Sequence, residues 1–372
     1  MTSRRHEEAS RQERKKAQER FSKELYSESR LNTLRQKHSS GKLSADESLE
    51  LIMQGNAEHV SALKGAPMTP LQRFLKIQAG QADYLIVKCS DARGHKTDSE
   101  KDTLVGIHIY IAGNVIPGKK TASRDEISDM VSLVRKDGVV LNEAHCECGA
   151  VKERGKWLDS GMKPTGSVPL DNLLHEVVGP TPKDNVVAQL AKMRELPLGE
   201  RASGAIMYDW EHGGVSIVSA NSSPVIELLV DQFNRRHSEA DHDGRLAQKL
   251  AKQKPHAIVV GANTLPFSLG TITHALQNEV FHTTGSESGL DDFDEGSILY
   301  AIEHLGVRHI PFVAPAVQGN EKPIKAMFDR WEKDLRSMTV NGEPILSKML
   351  DSGELRISRL RYDLSDGRLV QL

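Results

Sequence analysis

The tightest constraint on the fold is an apolar run that stops on a thiol and two opposite charges. Tyr84-Leu85-Ile86-Val87 is followed by Lys88-Cys89-Ser90-Asp91-Ala92-Arg93. A continuous apolar run suits a central parallel strand covered on both faces. The polar cluster follows at once, at the strand's C-terminal end, where open α/β sheets bind ligands. A second cluster, Ala144-His145-Cys146-Glu147-Cys148-Gly149-Ala150, comes after another apolar run, Val139-Val140-Leu141. Cys89, His145 and Cys148 are therefore candidate ligands of one zinc ion.

All three cysteines of the chain lie in these two clusters. So few thiols do not make a disulfide framework; a reducing compartment and a metal or catalytic role fit better. A length of 372 residues allows two domains of ordinary size. With 49 Lys+Arg against 51 Asp+Glu, charge gives no support for nucleic acid or an acidic surface as main partner. No apolar run is long enough for a membrane span. The start, Met1-Thr2-Ser3-Arg4-Arg5-His6-Glu7-Glu8, lacks the apolar region of a secretory signal. The expected location is the cytoplasm.

Residues 1–41 form a charged, aromatic-poor arm, expected to be an exposed helix or a partly disordered tail. Ser44-Ala45-Asp46-Glu47 is a capping-box pattern. It opens a helix carrying Leu49, Leu51, Ile52 and Val60, with a bend expected at Gly55. Val105, Ile107, Ile109 and Ile111 alternate as in a strand that ends in Ala112-Gly113-Asn114. Residues 124–136 read as a helix with Ile127, Met130, Val131 and Val134 on one face, before a strand near 138–143. Val186 to Leu196 reads as a further amphipathic helix. Ala205 to Asp209 and Val215 to Val218 make a hairpin around Glu211-His212-Gly213-Gly214.

The order of elements then repeats. His256 to Asn263 parallels Tyr84 to Asp91, Ser297 to Val307 parallels the elements before His145, and Leu360 to Val370 parallels the hairpin. Such a long period means two copies of one domain. The segment 221–254, with Asp241-His242-Asp243-Gly244, joins them by a helix and a loop. The expected division is a 1–41 arm, a zinc-binding domain over 42–220 and a degenerate copy over 221–372. In register, Cys89 faces Gly261, Asp91 faces Asn263 and Arg93 faces Leu265, and Pro311 to Ala316 replaces the His145–Cys148 segment. The second copy thus offers no thiolate or imidazole there.

Three protein ligands leave the fourth position of a tetrahedral zinc open for water, the catalytic pattern. Two thiolates cancel the ion's charge, yet the ion still lowers the pKa of its water towards neutral or mildly alkaline pH. Asp91 lies next to this site, and a lone carboxylate would bind the metal and displace the water. Arg93 can hold it off by a bidentate pair, leaving Asp91 to accept the hydrogen of the attacking hydroxide.

Cys-Ser-Asp-Ala-Arg, then Ala112-Gly113-Asn114, then His-x-x-Cys-Gly-Ala resembles the β-class carbonic anhydrases. The resemblance spans roughly residues 45–220, including Leu51-Ile52-Met53-Gln54-Gly55-Asn56 and the Tyr208-Asp209 strand, and carries on weakly to the C-terminus. It implies an α/β fold of two tandem domains, each a mainly parallel sheet flanked by helices, with an N-terminal helical arm. It also implies a zinc lyase that hydrates carbon dioxide reversibly to bicarbonate by zinc-bound hydroxide. Zinc ligation carries over onto Cys89, His145 and Cys148, and the catalytic dyad onto Asp91 and Arg93. The family's obligate pairing would here be met within one chain, as an intrachain pseudo-dimer, with further homo-oligomers and an assembly partner for the arm as open expectations. A duplicated domain with one half stripped of zinc is also the plan of the carboxysome-shell carbonic anhydrases, which adds a bacterial microcompartment as an alternative location.

Departures from the family pattern are Ala144 for Gly, Cys146 and Glu147 as spacers, Lys88 before Cys89, and Gly94-His95-Lys96 after the dyad. They bear on the substrate pocket and keep carbon disulfide or carbonyl sulfide hydrolysis open, besides a non-catalytic zinc or bicarbonate-binding scaffold. Blander readings are two buried thiols with a structural histidine, a closed zinc site with Asp91 or Cys146 as fourth ligand, and a plain Asp91–Arg93 ion pair. His95 reads as a proton shuttle or an exposed loop histidine. Asn114 reads as a turn former. Gln277, in the bare half, is a candidate to line the pocket across the domain interface.

Overall fold

The computed structural model describes residues 28–91, 93, 97–119, 121–210, 214–241, 250 and 253–372. Residues 1–27 of the arm, His95 with its neighbours 94 and 96, the hairpin turn 211–213 and the segment 242–244 lie outside the described residues.

Two five-stranded sheets carry the fold. The first holds β1 (Ala82–Lys88), β2 (Gly106–Tyr110), β3 (Val134–His145), β4 (Ala202–Asp209) and β5 (Gly214–Ala220), in spatial order β2-β1-β3-β4-β5. Four run parallel and β5 closes the edge antiparallel. The second holds β6 (Ala257–Ala262), β7 (Val280–Gly285), β8 (His309–Ala316), β9 (Arg356–Asp363) and β10 (Leu369–Gln371), in order β7-β6-β8-β9-β10. Order and direction repeat those of the first sheet strand for strand, with β10 the antiparallel edge. The expected α/β class, two mainly parallel sheets flanked by helices, is the one adopted.

The central strands β1 and β6 are buried at every position, as continuous apolar runs require. Two of the helices that cover the sheets do so through a single apolar stripe. On Lys322–Ser337 the stripe is Ile324, Met327, Phe328, Trp331 and Leu335, at helical spacing. Phe328 and Trp331 meet Phe312 of β8 at ring distances of 5.8 and 5.3 Å. On Pro224–Ala240, Ile226, Leu229, Val230 and Phe233 do the same for the first sheet. Each such side chain contributes roughly 1.5–3 kcal/mol by leaving water.

Three expectations are corrected. The helix expected over 124–136 runs Ala122–Ser132; Val134 opens β3 and pairs with Ala82. Its apolar character served a strand edge as well as a helix face. The last part of the arm, Glu28–Ser39, is a docked helix, with Leu34 fully buried and Arg35 Nε 3.1 Å from Glu279 Oε1. The helix Ala45–Ala62 passes Gly55 within a single element. Gly55 serves close approach instead: a Cβ there would sit 1.8 Å from the Thr273 carbonyl oxygen.

That last contact shows how the halves interlock. Helix Ala45–Ala62 precedes the first sheet in sequence but packs on the second. Ile52 joins a core with Val259, Val313 and Leu360. Ser48 Oγ lies 2.7 Å from His256 Nδ1 and 2.8 Å from His309 Nδ1. Asn56 donates to the carbonyls of Ile272 and Gly367, both at 3.0 Å. Helix Asp292–Leu305 of the second half returns the contact. Its Gly296 lies against the Pro169 carbonyl, where a Cβ would come within 2.7 Å.

Candidate metal centre

The parallel order of β1, β3 and β4 brings three strand ends to one edge. Cys89 follows β1, His145 ends β3, and Trp210 follows β4. The chain then turns into helix Gly149–Asp159, with Cys148 at its N-cap. Glu147, between His145 and Cys148, adopts φ +57°, a left-handed conformation that a non-glycine residue takes at a cost of order 1–3 kcal/mol. This turn lets His145 and Cys148 face the same point.

Cys89, His145 and Cys148 are all buried, and their ligand atoms lie within 4.8 Å of one another. The two sulfurs are 3.8 Å apart. The Gly113 amide donates to Cys89 Sγ at 3.2 Å. His145 Nδ1 donates to the Cys146 carbonyl at 2.8 Å, which fixes the neutral tautomer and leaves a lone pair on Nε2. That Nε2 is buried and receives no hydrogen bond. A buried acceptor left so costs about 1–3 kcal/mol unless something satisfies it. Two thiols and an orphaned imidazole nitrogen are the donor set zinc prefers. These residues fit the ion.

Burial pushes the Cys89 thiol well up. Its contact with Cys148, helped by the backbone amides of Val151 and Ala150, pulls the Cys148 thiol down. Burial lowers the His145 pKa, but Asp91 and Cys89 outweigh it and the net shift is upward.

Asp91 and Arg93 form the bidentate pair expected. Arg93 Nε donates to Oδ1 at 3.0 Å and Nη2 to Oδ2 at 2.6 Å, with the Arg93 amide adding a third bond to Oδ1 at 2.9 Å. Burial would raise the Asp91 carboxyl, but His145 and Arg93 together hold it below its usual range. Asp91 Oδ2 is 3.5 Å from His145 Nε2. Arg93 Nη2 also donates to the Glu147 carbonyl at 2.7 Å, tying the dyad to the His-x-x-Cys turn.

Several residues around the site escaped the sequence reading. Trp210 holds the Arg93 guanidinium 4.8 Å over its ring and stacks on His145 with centroids 5.2 Å apart. It follows β4 directly, so the strand-end rule that found Cys89 would have found it. Tyr300 and Gln253 come from the second half and carry no local signal. A Cβ on Gly149 would lie 2.1 Å from Tyr300 Oη and 3.6 Å from Gln253 Oε1, so the glycine makes room for the other half as well as a tight helix entry. Gln253 Nε2 is buried without a partner. Ser297, on the same helix as Tyr300, accepts from the Ala112 amide at 3.0 Å.

The remaining candidates fall into place. Asn114 has φ +47° and shapes a turn, with its side chain in a buried amide network with Asn142 and Asn185. Lys88 is buried 3.5 Å from Glu143 and over the Tyr110 ring at 5.8 Å. The Cys146 amide continues the ladder to the Tyr208 carbonyl, and its thiol is not part of the cluster. Gln277 donates to the Arg93 carbonyl and the Tyr208 hydroxyl. In the second half Asn263 donates to Glu126 Oε1 at 2.5 Å, and Leu265 is buried. Among the described residues no second trio of possible ligands gathers there.

Fold and site together define an α/β protein with a buried thiol–imidazole cluster at the C-terminal edge of a mainly parallel sheet. No family model and no curated protein matches the sequence. Solved structures similar to this chain are β-carbonic anhydrases and a carbon disulfide hydrolase. Those from Sordaria macrospora are 17% identical over 40% of this chain and 96% of theirs, at a TM-score of 0.30. The enzyme from Coccomyxa is 18% identical over 41% of this chain and 87% of its own, also at 0.30. The apo form of carbon disulfide hydrolase is 17% identical over 38% and 82%, at 0.27.

Proposed function

We propose that this chain holds one zinc ion on Cys89, His145 and Cys148 and interconverts carbon dioxide and bicarbonate. The observation that carries the reading is His145 Nε2. It is buried, orphaned and fixed in tautomer, it belongs to one cluster with two thiols, and it lies 3.5 Å from a carboxylate that Arg93 restrains. A zinc ion held there supplies a Lewis acid and an ionisable water.

The chain's own residues supply the rest. Asp91 is kept ionised, so it only accepts a hydrogen and can orient the attacking oxygen's lone pair. Arg93 occupies both carboxylate oxygens and prevents Asp91 from becoming a fourth ligand. Trp210 holds the guanidinium and the imidazole in one stack. Tyr300 and Gln253 of the second half pack against Gly149, the residue after Cys148. We read the domains as 42–220, which carries the chemistry, and 221–372, a degenerate tandem copy. The two sheets' shared strand order supports duplication. Thiolate ligands call for a reducing compartment, which supports the cytoplasm.

The test is carbon dioxide hydration by stopped flow, run across pH with matched zinc analysis, for the wild type and Asp91→Asn. We expect about one zinc per chain, hydration that rises with pH, and at least about a tenfold loss in the variant. Carbonyl sulfide and carbon disulfide run alongside distinguish the related hydrolase. One zinc per chain with no turnover of any of these substrates would leave a binding scaffold in its place.

A further inference from the structure

We propose that Gln277, carried by the half without metal ligands, is a positioning residue that keeps the Asp91 carboxylate on Arg93 and off the metal. The inference rests on the metal site proposed above. Gln277 stands in the loop between helix Leu269–Ile272 and β7. Its amide nitrogen has two hydrogens, and both are used: one goes to the Arg93 carbonyl at 3.1 Å and one to the Tyr208 hydroxyl at 2.8 Å. The Arg93 carbonyl only accepts, so the nitrogen and not the oxygen faces it. That orientation leaves Gln277 Oε1 buried without a partner. Tyr208 is fully buried and its hydroxyl lies 3.2 Å from His237 Nδ1, so the anchor itself is held.

Arg93 is therefore fixed at both ends. Its guanidinium is tied to the Glu147 carbonyl at 2.7 Å and lies over Trp210, and its backbone is tied to the second half by Gln277. Asp91 follows Arg93. Its Oδ2 is already 3.5 Å from His145 Nε2, so a small movement would bring the carboxylate to an ion shared with that nitrogen. The hydrogen bonds from Arg93 resist that movement, and Gln277 resists any shift of Arg93. Through this one side chain the bare half keeps the fourth metal position open.

The experiment uses the full chain loaded with Co2+, whose visible spectrum reports thiolate ligation and coordination, and titrates thiocyanate as the probe of an open position. We expect the wild type to bind one Co2+ with thiolate charge-transfer bands and to respond to thiocyanate. Gln277→Leu, which loses both donors, is expected to bind the same Co2+ with thiocyanate affinity reduced at least about tenfold. Adding Asp91→Asn to it is expected to restore the response. Should the leucine variant not fold by circular dichroism, Gln277→Glu at pH 8 provides the measurement, since its carboxylate has no hydrogen for Arg93. A variant that folds, binds Co2+ and answers thiocyanate as the wild type does overturns the inference. A wild type without thiolate bands overturns the metal site itself, and this inference with it, which is a distinct failure.

Discussion

The indole of Trp210 and the imidazole of His145 stack with centroids 5.2 Å apart and planes 27° from parallel. The Arg93 guanidinium lies over the same indole at 4.8 Å. One aromatic side chain thus sets the orientation of a candidate ligand and of the group that restrains Asp91. Trp210 is buried, so Trp210→Ala should cost about 3–5 kcal/mol in urea unfolding. It should also weaken zinc binding in competition with a chelator, because the His145 ring loses its support. Trp210→Phe keeps a ring in place and should keep most of the metal affinity. Equal zinc affinity in all three proteins would show that the stack does no positioning.

Gly55 makes the opposite prediction to its helix propensity. In a helix interior alanine is favoured over glycine by about 1 kcal/mol. Here the new Cβ would lie 1.8 Å from the Thr273 carbonyl oxygen, and backbone cannot step aside as a side chain end can. Gly55→Ala should therefore destabilise by roughly 3 kcal/mol or more, read as a lower urea midpoint. An unchanged or raised midpoint would mean that the helix Ala45–Ala62 does not sit on the second half as described.

Acid should loosen the same helix. Burial pushes His309 down to about 4 and His256 well below the ordinary imidazole value, with Ser48 of the helix between them. The groups around them are His38 beside His256 and Asp46 and Arg356 beside His309. Both histidines are neutral when folded and charge readily when unfolded. Their contribution is therefore complete above about pH 6.5 and is lost as pH falls towards 4. For His309 the loss amounts to roughly 3 kcal/mol. Urea unfolding at pH 7 and pH 5 checks it, and His309→Asn should flatten the difference. Equal stability at the two pH values would count against neutral, buried imidazoles at this joint.

Alkali should loosen the other joint. Burial, then Asp291, pushes Glu126 up to about 7, while Asn263 across the interface donates to it. A raised carboxyl is protonated when folded and ionised when unfolded. Stability is complete below about pH 4.5 and declines as pH rises through 7. Glu126→Gln keeps the acceptor for Asn263 and removes the charge. It should be near neutral at pH 5 and stabilise by up to roughly 3 kcal/mol at pH 8. Equal effects at both pH values would place the carboxylate in a solvated setting instead.

Local signals carried much of the fold. The run before Cys89 became β1, the capping box at Ser44 became a helix start, and the hairpin pattern became β4 and β5. These depend on neighbours a few residues apart, which a sequence displays. The errors arose where a residue answers to a distant partner. Val134 joined β3 because Ala82 was there to pair with it, and Gly55 was needed because Thr273 approaches. Trp210 lay within reach of the strand-end rule, whereas Tyr300 and Gln253 had no local sign at all.

The residue types alone determined what chemistry this protein could attempt. Two cysteines and a histidine at strand ends, with an aspartate and an arginine beside them, are a donor set and a restraint whatever the surroundings. Only the tertiary structure decided that the site is shared. Helix Ala45–Ala62 precedes the first sheet yet lies on the second, while Gln253, Gln277 and Tyr300 reach back to the first. Such pairings come from shape and hydrogen-bond matching between surfaces far apart along the chain, and those matches exist only once both halves have folded.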